Sequence, residues 1–410
     1  MALWPDKRLM LTYEEALAQI LSHTAPLAPV QVPLADALGL VLAEDLAASH
    51  DLLPFDNSSM DGFAVRAADI AVNEAVLPVQ GDIAAGALSI PTLRPQMALR
   101  IMTGAPVPDG ADAVVPVEDT ETRGSSVAFL EQAERGQHIR RRGEEVRSGT
   151  VVVPRGSRLR PAEIGMAATV GRAEVLAHPR PRVAVVSTGD ELVEPGTQLQ
   201  RGQIYNSNAY ALAAQVEEAG GIVVHKLHAR DTPEALRTAF DRCAGADVLI
   251  TSGGVSVGGF DYVKAVFAER GTVGFWKVAI RPGKPLAFGQ WDSTLFFGLP
   301  GNPVSSMVTF ELFVRPTLRK MAGHSALARP EVQVRLAEEA SHTPGRRSYQ
   351  RAIVTREGSG YSACTTGAQG SGMLRSMVLA NALLILPSDV ALFPVGAKVS
   401  ALLLDEITSS

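Results

Sequence analysis

From Arg182 to about Met321 the chain alternates short apolar runs with helix-like stretches, and this alternation limits the fold more than any other feature. RVAVVS leads to a helix expected from about Asn208 to Gly220, and GIVVHKL to one starting at Thr232-Pro233-Glu234. ADVLITS precedes a helix after Asp261, and TLFFGLP one that follows Asn302-Pro303 and ends near Met321-Ala322-Gly323. Thr232 and Asn302 each stand before a proline, as an N-cap does when proline fills the first helical position. Repeated strand–helix units imply a mostly parallel sheet with helices on both faces.

Each loop that follows a strand should lie at one edge of that sheet, where open α/β sheets bind anionic small molecules. Three loops qualify: Ser187-Thr188-Gly189-Asp190-Glu191, Ser252 to Gly259, and Gly298-Leu299-Pro300-Gly301-Asn302-Pro303. In the second, Gly253, Gly254, Gly258 and Gly259 permit a tight turn with exposed N–H groups, and Asp261 stands at the start of the next helix. Taken singly, the glycines make turns and the Asp and Asn residues cap helices. Together they offer backbone donors for phosphate, with Asp190, Glu191 and Asp261 for a metal or a water.

The rest of the chain organises around this region. At 410 residues it should form two to four domains. Thr12 and Glu15 have capping-box spacing ahead of an apolar helix face. Brief β-like runs fill Leu52 to Gly149, a helix is expected over Arg160 to Thr169, and His178 to Pro181 reads as a hinge. Beyond Arg329 the chain returns to β-like segments. Cys243 and Cys364 are the only cysteines, which excludes a disulfide framework, and the net charge of −5 gives no reason to expect nucleic acid. No apolar run is long enough for a membrane, and MALWPDKRLM lacks a signal peptide's core, so the expected location is cytoplasmic.

Other polar clusters are ambiguous on chemistry alone. Arg281-Pro282-Gly283-Lys284 holds two cations that suit an oxyanion or a solvated turn equally. Arg140, Arg141, Arg142 and Arg147 are expected in ion pairs or on a solvated face. Asp56, Asn57 and Asp61 have the character of turn formers, and Thr103-Gly104-Ala105-Pro106 is equally open. His225 and His228 are expected to be structural. Ser187, Ser252 and Ser256 show no histidine partner, so a hydrolase triad is not expected.

The set STGDEL, SGGVSVG, RPGKPLAFG and GLPGNPVSSMVTFELFVRP closely resembles molybdopterin molybdenumtransferases, the MoeA-type family related to the gephyrin E-domain. PFDNSSMDGFAVR, RIMTGAPVPDGADAVVPVE, IRRRGEEV, GRRSYQRA and GAQGSGMLRSMVLANALLILP extend the resemblance over nearly the whole chain. It implies an elongated multidomain α/β plus β chain. A helix over 1–28 would pack on a doubly wound molybdopterin-binding α/β domain at 178–328. Segments 29–51 and 146–177 would form a dimerisation or linker domain, 52–145 a β-rich domain, and 329–410 a barrel-like β-domain.

The resemblance also implies a reaction. Adenylylated molybdopterin and molybdate would give molybdenum cofactor and AMP, with Mg²⁺. Asp231 and Asp261 would be metal ligands, and Asp61, Thr103, Glu145 and Glu191 further functional positions. Thr188, Gly189, Asp190, Ser252, Gly253, Gly254, Ser256, Gly258, Pro300, Gly301, Asn302 and Pro303 would line the substrate site. Arg281, Lys284, Arg346 and Ser371 would bind molybdate. A homodimer is implied, with Asp61 acting across it, and a molybdopterin adenylyltransferase and cofactor-receiving apoenzymes are implied partners. The alternatives are a molybdopterin adenylyltransferase and a non-catalytic gephyrin-like scaffold. The chain departs from the family pattern at Gly259, where an acidic residue is common, at Glu145, where Asp is usual, and at Ser348, often acidic.

Overall fold

The computed structural model describes residues 10–72, 74–254, 262, 266 and 269–409. They divide into two compact units, one comprising Gly39–Ala43 and Leu176–Ser410 together with the chain up to Gln31, the other Val32–Leu38 and Glu44–Val175.

The first unit is built on a six-stranded sheet. Its four parallel strands, in spatial order, are Ile222–Ala229, Arg182–Thr188, Val248–Ser252 and Thr294–Leu299. Side chains alternate along each strand, so the sheet has two apolar faces. Val183, Val185, Ile250 and Phe297 pack with Leu212 and Val216 of helix Ser207–Glu218 and with Val304 and Val308 beyond the last parallel strand. Ala184, Val186, Leu249 and Phe296 face the other way, onto Leu236, Ala239 and Phe240 of helix Pro233–Arg242. Helices therefore cover both faces, as the alternation requires. The sheet continues through Pro285–Trp291 and Gly271–Lys277, both antiparallel to their neighbours. These two strands flank the Arg281–Lys284 segment and extend the sheet beyond what the strand–helix repeats predict.

Caps follow the sequence with one exception. Thr12 and Glu15 form a reciprocal capping box on helix Tyr13–Ser22, whose Ala16 and Ile20 are fully buried with Phe313 and Leu318. The Thr232 hydroxyl accepts from the Ala235 N–H at 3.2 Å. Asn302 occupies an N-cap position, but its side chain makes no capping bond; its amide donates to Ser371 Oγ instead. After Asn302 the chain runs as α-helix Pro303–Thr309, a π-turn Phe310–Val314 and α-helix Arg315–Met321, with Gly323 at φ +80° just beyond. The expected helix after Asp261 lies largely outside the described residues.

The C-terminal segment of this unit closes into a barrel. Arg347–Glu357, Gly360–Thr365, Glu331–Leu336, Lys398–Leu403 and Ala382–Leu386 pair in that order, and the last strand pairs again with the first. Closure leaves no open edge, and Ala352, Val354, Leu384, Val399 and Ala401 fill the interior.

The second unit holds another six-stranded sheet, in which Gly62–Val65 lies between Ala113–Pro116 and Ala98–Ile101. Phe63 and Val65 pack with Val115, Val127 and Phe129 on one side, Ala64 with Leu99, Ile101 and Val114 on the other. Helix Pro161–Thr169 carries proline at its first turn, as its sequence requires.

Candidate active site

Parallel register places the three loops side by side. Ser187 pairs with Ser252, and Ser252 with Leu299, so all three chains leave the sheet at one level. Gly253 adopts φ +93°, and a Cβ there would lie 2.7 Å from the Thr188 carbonyl oxygen. Its N–H donates to Leu299 O at 3.2 Å. The first and third loops therefore touch the second at glycine, and only glycine fits that crossing.

Asn208 ties the same loops together through its side chain. Its amide donates to Ser252 Oγ at 2.8 Å and to Gly301 O at 2.7 Å. Nearby, Asn206 caps helix Ser207–Glu218 and donates to Ser187 Oγ at 2.8 Å. Neither asparagine stands out in the sequence as functional. The signal was the pair Asn206 and Asn208 in IYNSNAY, since one cap needs only one of them.

The first loop carries the acidic groups. Gly189 is held through its carbonyl, which lies 2.8 Å from His228 Nε2, so His228 positions this loop rather than the strand interior alone. The Glu191 carboxylate folds back to where a Cβ on Gly189 would sit, 2.7 Å away. Asp190 leads into the short strand Leu192–Val193, so it caps no helix. The Asp231 carboxyl is raised above its ordinary value, first by burial and then by the charges of Asp190 and Glu191, with Thr188 and His228 acting against the shift. Thr188 is buried and its hydroxyl makes no hydrogen bond of good geometry. A cavity of about 440 Å³ lies between the end of strand Ile222–Ala229 and helix Pro233–Arg242, lined by His228, Arg230, Thr232 and Glu234.

The charges of Asp190 and Glu191 thus act on Asp231 at the mouth of the loop cluster, beside the buried Thr188 side chain. Oxygen donors in excess of local positive charge suit a hard divalent cation. Among the described residues no three such ligands are already arranged around one point. Asp261, Ser256 and Gly258 lie outside the described residues, as does Gly259.

The cationic candidates occupy neighbouring positions in the same unit. Arg281 pairs in parallel register with Ser348 of the barrel and donates to Thr343 Oγ1 at 3.2 Å. Arg346 approaches Ile280 O at 3.5 Å, and the exposed Lys284 follows Gly283 at φ +105°. Ser371 is brought to the third loop: its hydroxyl accepts from Asn302, and its carbonyl accepts from the Val304 N–H at 3.1 Å.

In the second unit Asp61 and Thr103, distant in sequence, meet. Asp61 Oδ1 accepts from the Thr103 N–H at 2.7 Å and from its hydroxyl at 2.8 Å. Those bonds, the backbone one foremost, hold the Asp61 carboxyl below its ordinary value. Glu145 is exposed and, among the described residues, is not hydrogen-bonded to this pair. Arg141 and Arg142 are engaged with Asp56 and Asp51 at 2.6 and 2.7 Å, the ion-pair role expected of the basic run.

Comparisons with known proteins match this architecture along nearly its whole length. Residues 11–171 match the model of the MoeA N-terminal region (domain I and II), 184–320 the probable molybdopterin binding domain, and 333–404 the MoeA C-terminal region (domain IV). A Mycobacterium tuberculosis protein, molybdopterin molybdenumtransferase 2, is 45% identical over 381 residues, covering 90% of this chain and 94% of the relative. The Haemophilus influenzae molybdopterin molybdenumtransferase is 37% identical, with 93% and 95% covered. Among solved structures, the molybdopterin biosynthesis MoeA protein of Pyrococcus horikoshii aligns with a TM-score of 0.82 at 32% identity, covering 97% of this chain and all of that one.

Proposed function

The chain belongs to the molybdopterin molybdenumtransferase family, and from that premise we propose how its residues insert molybdenum. The protein is a transferase of molybdenum cofactor biosynthesis. Its pterin substrate is adenylylated molybdopterin, its metal source molybdate, and AMP leaves as the molybdenum is inserted. The observation that carries this assignment of the site is the meeting of the three loops at Gly253, with Asp190, Glu191 and Asp231 gathered at their mouth.

The phosphates rest on the backbone of the glycine loops, where N–H groups meet anions without a side chain intervening. Asn208 keeps Ser252 and Gly301 in one register, and His228 holds Gly189 so that Glu191 stays over the loop. Asp231, with Asp190 or Glu191, would hold magnesium; Asp261 is proposed as a further ligand. Magnesium bound there would offset the charge on the phosphoanhydride as it is cleaved. Arg281, Lys284, Arg346 and Ser371 take the molybdate, the guanidinium groups by forked hydrogen bonds. The Asp61–Thr103 pair and Glu145 act on the same reaction, and we place Asp61 across a homodimer from the loops it serves. The protein is proposed to work in the cytoplasm; among the described residues no helix is long and apolar enough to cross a membrane. Handover of substrate from a molybdopterin adenylyltransferase and of product to apoenzymes completes the proposal.

Incubation of the full chain with adenylylated molybdopterin, magnesium and molybdate should release AMP only when molybdate is present. Adenylylation of free molybdopterin from ATP would instead assign the chain to the adenylyltransferase reaction, and no turnover of either kind would leave a scaffold. Asn208→Ala should lower AMP release by roughly 10- to 100-fold, because an ångström of loop displacement costs about that much. Steady-state kinetics with a matched melting curve check it. A folded variant with wild-type rates would remove Asn208 from the site.

A further inference from the structure

The barrel segment is fastened to the α/β part at two places along one helical stretch. The first is the helix start, where the Val304 N–H donates to Ser371 O at 3.1 Å and the Asn302 amide to Ser371 Oγ at 3.0 Å. The second is the π-turn Phe310–Val314, a form that often marks a functional position. There Glu311 accepts from Arg329 Nε at 2.9 Å and from the Gln215 amide at 2.8 Å. Arg329 stands just before barrel strand Glu331–Leu336. Its Nη1 donates to Leu404 O at 2.9 Å, just past barrel strand Lys398–Leu403, and its Nη2 to Glu218 Oε1 at 2.6 Å. One guanidinium thus joins two ends of the barrel to the π-turn and to helix Ser207–Glu218. That helix also governs the glycine loops, because Asn208, Gln215 and Glu218 project from one side of it. Exposed ion pairs hold little, but the Arg329 and Glu311 side chains are only 12% and 3% exposed. Arg315 lies 3.5 Å from the same carboxylate, so removing Glu311 would strand two buried guanidinium groups. The informative change is therefore at Arg329.

We infer that Arg329 is a positioning residue for molybdate uptake: it seats the barrel so that Ser371 meets the third loop, and it acts through Ser371. The inference deepens the proposed function, since it rests on Ser371 and Arg346 taking molybdate together with Arg281 and Lys284. Those four residues come from both sides of the junction that Arg329 closes. The glycine loops proposed to hold the phosphates all leave the one parallel sheet. Loosening the junction should therefore weaken molybdate and spare the adenylylated pterin.

The test is Arg329→Lys in the full chain. Lysine keeps a charge opposite Glu311, but a single ammonium on a flexible stem cannot hold Glu311, Glu218 and Leu404 in one fixed geometry. The KM for molybdate should rise about tenfold, the order of loss that a small misplacement brings, while the KM for adenylylated molybdopterin stays unchanged. Arg329→Gln, which also removes the charge, should raise it further and lower the melting temperature, because Glu311 then stays buried without that partner. Equilibrium dialysis against molybdate alone repeats the comparison without turnover. A folded Arg329→Lys variant with wild-type affinity for molybdate would overturn the inference. So would equal rises in both KM values, or a fall in kcat alone, since either marks a general loosening of the fold. A wild-type chain that binds molybdate but releases no AMP with it would instead defeat the proposed function, and dialysis would still read this inference.

Discussion

Asp231→Asn should lose at least about 100-fold in molybdate-dependent AMP release, on the scale of a preorganised electrostatic group removed from an active site, while melting no lower than the wild type. The carboxyl is raised by burial and by Asp190 and Glu191, so its ionised form is disfavoured in the folded protein. The sign follows from linkage. A raised folded value gives a contribution to stability that is complete below the ordinary aspartate value of 3.8 and is lost as pH rises through the folded value. Asparagine never ionises and keeps that contribution. The variant should therefore match the wild type at acid pH and gain on it toward neutrality. Melting curves across pH, paired with rate measurements, check both halves. A melting point several degrees lower at neutral pH would show that the carboxylate supports the fold and not the chemistry. A normal rate would end its proposed metal role.

Gly253→Ala should have the larger effect on stability. The backbone there is left-handed, which costs a residue with a Cβ about 1–2 kcal/mol, and the new atom would lie 2.7 Å from the Thr188 carbonyl and 2.8 Å from its hydroxyl. Thr188 ends a buried strand held by neighbours on both sides, so it cannot give way cheaply. Overpacking of this kind adds about 1–3 kcal/mol. Gly196 supplies the control: its φ is also +93°, yet a Cβ there would meet nothing within 4 Å. Gly196→Ala should lose only the backbone part, about 1–2 kcal/mol, and keep its activity. Gly253→Ala should fall roughly 2–5 kcal/mol in denaturant unfolding and lose activity with the displaced loop. Equal losses in the two variants would mean that the loops do not meet as described.

What the sequence revealed and what it hid divide along a physical line. Interactions local in the chain were legible. The Thr12–Glu15 box and the Thr232 cap need only four consecutive residues, and the strand–helix period implied the parallel sheet and the level at which its loops leave it. Partners distant in the chain were not. Asn302 looks like a cap, but its amide reaches Ser371, 69 residues away, because a loop of the barrel segment packs over that helix start. His228 looks structural until the parallel register sets its strand beside Gly189. The strands Gly271–Lys277 and Pro285–Trp291 were hidden because proline, glycine and charge between them suggest a loop, and only their pairing shows the hairpin. Likewise Val32–Leu38 joins the unit that starts again at Glu44, an exchange that no change in composition marks.

We propose that the chain couples molybdenum insertion to adenylate release at the loops around Gly253. A single-turnover reaction tests it most directly, with the full chain, adenylylated molybdopterin and molybdate, counting AMP and pterin-bound molybdenum in the same sample. The expected result is one AMP for each molybdenum inserted, with both abolished together in Asp231→Asn. AMP release at the same rate without molybdate, or molybdenum inserted without AMP, would contradict it.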